Sequence, residues 1–534
     1  MMNHLAGQPD IPGSDATVPG EVSVPYPTIT NLAVEWHIQG DANLNGEVRV
    51  RFRKMGKESW RQAMPLRRVP AGEGRTTRVP FFWQNKHSGS IFDLEPGTEY
   101  EINLSLSDPD GGQAEKTIRA STREVPRPIG NIINCPSGKH GVLRPSSGQP
   151  GKPNVYVCEK GKAIYEQIDL RNRKWVYIEG LSVENSAAGR SSKGVLMDGA
   201  ESCVVRRCRI NAVFGIVAEK PGATNCYISD NVVTGTTRWI NEAMGARGQN
   251  LGEGIQMTGA GNVICHNRVS GFRDAISTME DRRVAEQMCI DIYNNDIYAG
   301  ADDGIEADFC MHNCRIMRNR LTNCFVGLSS QPGLGGPTYF IRNVMYNLTH
   351  CSYKLHRYSS GDVVLHNTVL KVGDGMSCYS RQPFDFALFR NNLGIGGPNS
   401  ISWGGYGAGN GNGAQINAHG PNCSFDFDAV GSIAGEAGSI GGKPFLQVEP
   451  NGLLVDMSVF NEVEFPSEPV PGYEPPDLRL RPGSEIVDRA TPLPNINDGY
   501  SGTAPDIGAY ELGQEMPIYG PRPPGVDESS SFPR

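Results

Sequence analysis

The chain has 534 residues, 20% charged and 38% hydrophobic, with 65 glycines, 38 prolines and a formal net charge of −8. That length and mix suit a turn-rich β protein of two or three domains better than a helical one. The negative balance and the absence of a basic run argue against nucleic acid as a partner. No stretch of 18 apolar residues offers a membrane span. A polyanionic partner would need local cations, from Arg, Lys or a bound metal.

Residues 1–24 are rich in Pro and Gly and read as a flexible lead-in. The opening "MMNHLAGQPDIPGSD" lacks a charged region followed by an apolar stretch, so it does not read as a secretory signal. Residues 25–125 alternate apolar and polar side chains in short bursts ("LAVEWHIQG", "GEVRVRFRK", "YEINLSLSD") separated by turns such as "DPDGG". This pattern predicts a small β-sandwich with Trp36 in its core. The segment "FDLEPGTEYEINLSLSD" resembles the fibronectin type III signature, with Leu94 and Tyr100 at its tyrosine corner. "REVPRPIG" reads as the linker to the next unit.

From residue 128 a short motif recurs: Asn, any residue, then an aliphatic. It stands at positions 231, 267, 295, 319, 343, 367 and 391, and from Asn295 the step is 24 residues four times over. Between these lies a second motif, a small residue and an aliphatic, as in "GIQ", "AIS", "GIE" and "GLS". Two short strands per repeat are too few for a propeller blade and too β-rich for a helical repeat. The pattern predicts a right-handed parallel β-helix over 128–430, its asparagines forming an internal ladder, and the whole chain is expected to be all-β. This stretch resembles the pectate-lyase-like superfamily. Residues 431–513, including "APDIGAYELG", resemble the closing segment of bacterial β-helix proteins and are expected to cap the solenoid; 514–534 read as a disordered tail. Thirteen cysteines without a CxxC pair read as buried thiols rather than a disulfide framework or a zinc site.

Alternation along the small–aliphatic motif gives the side chains that point away from the core. These are Gln256 and Thr258; Ser277 and Met279; Glu306 and Asp308; Ser329 and Gln331; Lys354 and His356; Ser377 and Tyr379. Glu253, Asp274, Asp302 and Asp303 precede the same strands, and Arg357 ends one of them. One face therefore gathers carboxylates with a Lys, a His and an Arg about two coils, or ~10 Å, away. Asp274, Asp302, Asp303 and Glu306 suit a hard cation such as Ca²⁺, which takes oxygen ligands and would relieve their mutual repulsion. Lys354 fits a base that removes the proton α to a uronate carboxylate, and Arg357 fits a bidentate partner for that carboxylate. His356, Arg273 and Gln256 are further candidates for substrate contact.

"ADDGIEADF" followed by "SYKLHR" resembles the family-nine polysaccharide lyases. That resemblance implies a secreted, calcium-dependent β-elimination of pectate or a related acidic polysaccharide. It implies calcium on Asp274, Asp302, Asp303 and Glu306, with Lys354 as base. Glu306 stands where that family has Asp, Ile305 where it has an aromatic, and Lys354 lies one coil further along. Two other readings stay open: a polygalacturonase-type hydrolase, for which Asp302–Asp303 is the acidic pair, and a non-catalytic carbohydrate-binding adhesin or tailspike-like protein.

Overall fold

The computed structural model describes residues 13–75, 77–78, 80–159, 161–185, 189, 191–278 and 287–530. Met279 and residues 1–12 and 531–534 lie outside them. The described residues are nearly all β: an N-terminal antiparallel unit leads into a long parallel β-solenoid.

The N-terminal unit is a hydrogen-bonded series of seven antiparallel strands. Leu32–Gly40 is second in that series, Glu47–Lys54 and Glu99–Ser107 fifth and sixth, yet their inward residues share one core. The sheet therefore folds over on itself, and Trp36 is fully buried between the halves. The Tyr100 hydroxyl accepts a hydrogen bond from the Glu95 N–H at 2.9 Å, pinning the turn before its strand. Thr17–Ser23 pairs with Leu32–Gly40 as an edge strand, so ordered structure begins inside the stretch expected to be a flexible lead-in.

In the solenoid, one parallel sheet stacks 12 strands, and a longer parallel ladder carries the other strands of each coil. The asparagine repeat explains how the coils hold register. The side-chain amide of Asn295 donates to Asn319 Oδ1, Asn319 to Asn343, and Asn343 to Asn367, each at 3.0 Å. An amide carries both a donor and an acceptor, so one per coil builds a continuous buried chain in which no polar group is orphaned. The residue before each ladder position is left-handed: Asn294, Arg318, Arg342, His366 and Asn391 have φ between 51° and 61°. That conformation makes the corner between the two sheets. The ladder position in the last of these coils is Asn392, one residue beyond the expected Asn391, which is the corner residue. Asp428, which only accepts, closes the ladder at 2.9 Å from Asn392 Nδ2.

The parallel ladder continues past residue 430 to Leu453–Val455. Within that stretch Phe445, in the one-turn helix Phe445–Val448, is buried in the solenoid core, and beyond Val455 the chain doubles back along the solenoid's flank. Pro469 first reaches Trp239 and Asn347; from Thr491 onward the contacts step to progressively earlier coils, Thr491 with Asn391, Ala509 with Arg342, Gly520 with Asn294, and Arg522 with Asp230. Glu528 accepts hydrogen bonds from Tyr227 and Tyr293 at 2.8 and 2.7 Å. Residues 514–530 are thus fastened by buried polar anchors, not the disordered tail their Pro/Ser composition suggested. All thirteen cysteines are free thiols.

The N-terminal unit packs on the solenoid rather than standing off it. Arg318 pairs bidentately with Asp93 at 2.9 and 2.7 Å, and Asn31 donates to Asp291 at 2.8 Å. A second contact is apolar: Phe81 clusters with Phe309, Met311 and Leu334.

Candidate functional site

On the solenoid face that carries the small–aliphatic strands, consecutive coils align Gln256, Ser277, Glu306, Ser329 and Lys354. This is the column expected from alternation. The next coil slips by two residues, because Tyr353 pairs with Cys378. Tyr379 rather than Ser377 therefore stands beside Lys354. The column opens into a cleft of ≈ 610 Å³ whose lining includes Gln256, Arg273, Glu306, Lys354, His356 and Arg357. All three predicted substrate contacts, Gln256, Arg273 and His356, thus lie in one cleft with Lys354 and Arg357. Arg78, from the N-terminal unit, reaches the same cleft.

The carboxylates divide into two groups. Glu253, Asp274 and Glu306 each bring an oxygen within 4.8 Å of the others, and all three are buried. Glu253 Oε2 has no hydrogen-bond partner among the described residues, whereas Glu306 accepts from Ser277 Oγ at 2.8 Å. Asp274 Oδ1 accepts the Asp303 backbone N–H at 2.8 Å, which ties one strand entry to the next. This all-oxygen set suits a hard divalent cation. It shares Asp274 and Glu306 with the expected ligands and replaces Asp302 and Asp303 with Glu253. Those two aspartates are held by cations instead. Asp302 pairs with Arg273 at 3.2 Å, and Asp303 forms a buried ion pair with Lys354.

Burial pushes Glu306 up to about 7, with Asp308 adding to the effect and Lys354 opposing it. Burial likewise lifts Asp303 to about 7 and Asp308 to about 6. Glu253 and Asp274 lie well above the carboxylate range, through burial and then through their acidic neighbours. Burial alone would lower Lys354, yet Asp303, Asp308, Glu306 and Asp302 together hold its pKa well above the usual value. With its partner in place Lys354 is a charged ammonium, not the ready-made free amine that a base requires. Arg273 also sits 3.4 Å from Asp274, so its charge is committed to the acidic floor before any substrate arrives. Asp308 accepts from Ser329 Oγ at 2.6 Å and from the Gln331 N–H at 2.8 Å, which fixes its carboxyl at the cleft wall.

No protein-family model and no curated protein matches this chain. One solved structure that resembles it is the Yersinia enterocolitica family 28 exopolygalacturonase, at 11% identity with a TM-score of 0.31, covering 76% of this chain and 99% of that one. So loose a superposition transfers no residue and no reaction; the fold rests on the strand ladders themselves.

Proposed function

We propose that this protein is an enzyme that cleaves a uronate-containing polysaccharide in the cleft, by β-elimination with Lys354 as the proton acceptor. The observation that carries the reading is the pairing of Lys354 with Asp303 on the floor of an open cleft, amid buried carboxylates. Glu253, Asp274 and Glu306 would hold a calcium ion, which supplies neutralisation of a substrate carboxylate and so acidifies the adjacent C–H.

The chain's own part begins with the proton of the ion pair. Asp303 shares a hydrogen bond with Lys354 and is the group positioned to take its proton; with a pKa near 7 against an ammonium held well above its usual value, that transfer is uphill and adds to the barrier. That transfer leaves a neutral amine beside a neutral carboxylic acid without changing the net charge of the floor. The amine then takes the proton α to the uronate carboxylate. The freed electron pair forms the new C=C bond as the glycosidic C–O bond breaks, and the leaving oxygen gains a proton from solvent. Arg357, at the cleft wall, would hold a substrate carboxylate. The N-terminal unit, read as fibronectin type III-like, would brace the cleft through the Phe81 contact, and the enzyme would work outside the cell.

Hydrolysis is the second reading, favoured by the raised pKa values of Asp308 and Glu306, which suit a protonated general acid near neutral pH. The two separate in one assay of acidic polysaccharides. Elimination produces an unsaturated, ultraviolet-absorbing product, whereas hydrolysis yields reducing ends alone. Activity that survives a chelator would remove the calcium assignment, and full activity in Lys354→Ala would remove the base.

A further inference from the structure

Beside Lys354 the cleft carries a run of rings that the proposed chemistry does not use. Tyr406, His350, Tyr379 and His356 follow one another with centroid separations of 5.2, 5.3 and 5.3 Å. All four line the cleft and are half-buried. Buried Phe325 stacks under His350 at 5.0 Å and 23° and meets Tyr406 edge-on at 5.3 Å, so the run has a fixed base.

The two histidines in this run hold opposite tautomers. His350 Nδ1 lies 2.8 Å from the Gly407 carbonyl, which only accepts, so Nδ1 carries the proton. Burial draws the His350 pKa down to about 4, and its Nε2 is itself buried, with no hydrogen-bond partner among the described residues. His356 Nδ1 accepts the Arg381 N–H at 3.2 Å, and burial, then Arg357, brings this ring down to about 4 as well. Its Nε2 therefore bears the hydrogen and donates. A donor thus stands beside the Tyr379 ring.

We infer that the rings of Tyr406, His350, Tyr379 and His356 form a saccharide-binding subsite. A pyranose would stack its apolar C–H face on Tyr379, and a hydroxyl would meet the donor at His356. A flat ring face with polar groups at its edge is what a sugar ring offers, apolar above and below and hydroxylated around its rim. The inference rests on the preceding reading in placing a polysaccharide in this cleft. Stacking does not depend on substrate charge, so this subsite accepts neutral as well as uronate units and sets affinity rather than the chemical step.

Calorimetric titration of the full-length protein with hexagalacturonate and with neutral xylohexaose tests this. The wild type binds both. Tyr379→Ala weakens both by about three- to tenfold, the size of one lost aromatic contact, while Tyr379→Phe keeps binding within about twofold. His356→Phe retains the ring but loses the donor, and binds a few-fold more weakly. Equal binding by Tyr379→Ala and wild type, or no binding of either saccharide by the wild type, overturns the subsite. Failure of the elimination reading looks different: no unsaturated product forms, while saccharide binding still depends on Tyr379.

Discussion

Glu306→Gln separates the two ways in which the acidic floor can be relieved. Glu306 is 3% exposed, and burial with its neighbours lifts its carboxyl from 4.5 to about 7. A carboxyl raised on folding leaves the folded state holding more protons than the unfolded one between those two values, so stability falls as pH rises through that window. The shift is worth about 3 kcal/mol at 1.36 kcal/mol per unit, fully expressed above pH 7 and absent below pH 4.5. The amide keeps the shape and the bond to Ser277 without the charge. In chelator at pH 8 the variant is therefore expected to be more stable than wild type by up to about 3 kcal/mol. For a chain this long that is about 3 °C in thermal midpoint. At pH 4 the two should coincide. Calcium narrows the gap at pH 8: at one hundred times its dissociation constant it stabilises wild type by about 2.7 kcal/mol, and the variant by less because a ligand oxygen has lost its charge. Thermal melts at both pH values, with calcium and with chelator, read all four corners. A variant less stable than wild type at pH 8 in chelator would refute the repulsion argument, and equal calcium stabilisation of both proteins would remove Glu306 from the ligand set.

Lys354→Ala should abolish product formation, and Lys354→Arg should not restore it, since a guanidinium pairs with Asp303 but does not give up its proton in this pH range. The alanine variant also leaves Asp303 unpaired at 0% exposure, a loss of up to about 3–5 kcal/mol that shrinks as pH falls and Asp303 protonates, which without Lys354 to oppose it happens above the wild-type value of about 7; a pH-independent loss would contradict the pairing. Arg522→Ala strands Asp230 and Glu528, both buried, and is expected to free the C-terminal strap, seen as new cleavage after residue 514 in limited proteolysis. An unchanged digestion pattern would show that the strap is held elsewhere.

What was legible in the sequence follows the period of the fold. The asparagine ladder is found by counting because successive coils from Asn231 on supply one amide at one place, and the column from Gln256 to Lys354 follows from alternation on the small–aliphatic motif even though the coil length varies. Legibility failed where local geometry broke the count. The irregular register between Gly300 and Asp303 sets Asp302 and Asp303 against Arg273 and Lys354, so Glu253 joined the oxygen cluster in their place. The two-residue slip at Cys378 brought Tyr379 beside Lys354. Rings recur at Phe325, His350 and Tyr379, roughly one coil apart, a periodic signal present in the sequence. The C-terminal strap left no periodic trace, because its anchors to Asp230 and Tyr227 join residues about 300 positions apart.

The charge on the floor constrains any anionic substrate. Glu253, Asp274, Asp302, Asp303, Glu306 and Asp308 face Arg273 and Lys354, so when all are ionised the carboxylates exceed the cations. A uronate chain adds negative charge to this surface, which raises the neighbouring carboxyl pKa values further. Binding must then be coupled to uptake of protons or of a cation. In chelator, the bound state holds more protons than the free one, so the affinity for hexagalacturonate should rise as pH falls from 8 to 6, through the window set by Glu306, Asp303 and Asp308. Calcium should flatten that slope by supplying the positive charge directly, and xylohexaose should show no slope at all. Hexagalacturonate affinity that is independent of pH in chelator would mean the substrate carboxylates do not approach this floor. The acidic cluster would then serve the fold, and the chemistry would have to be sought along another face of the solenoid.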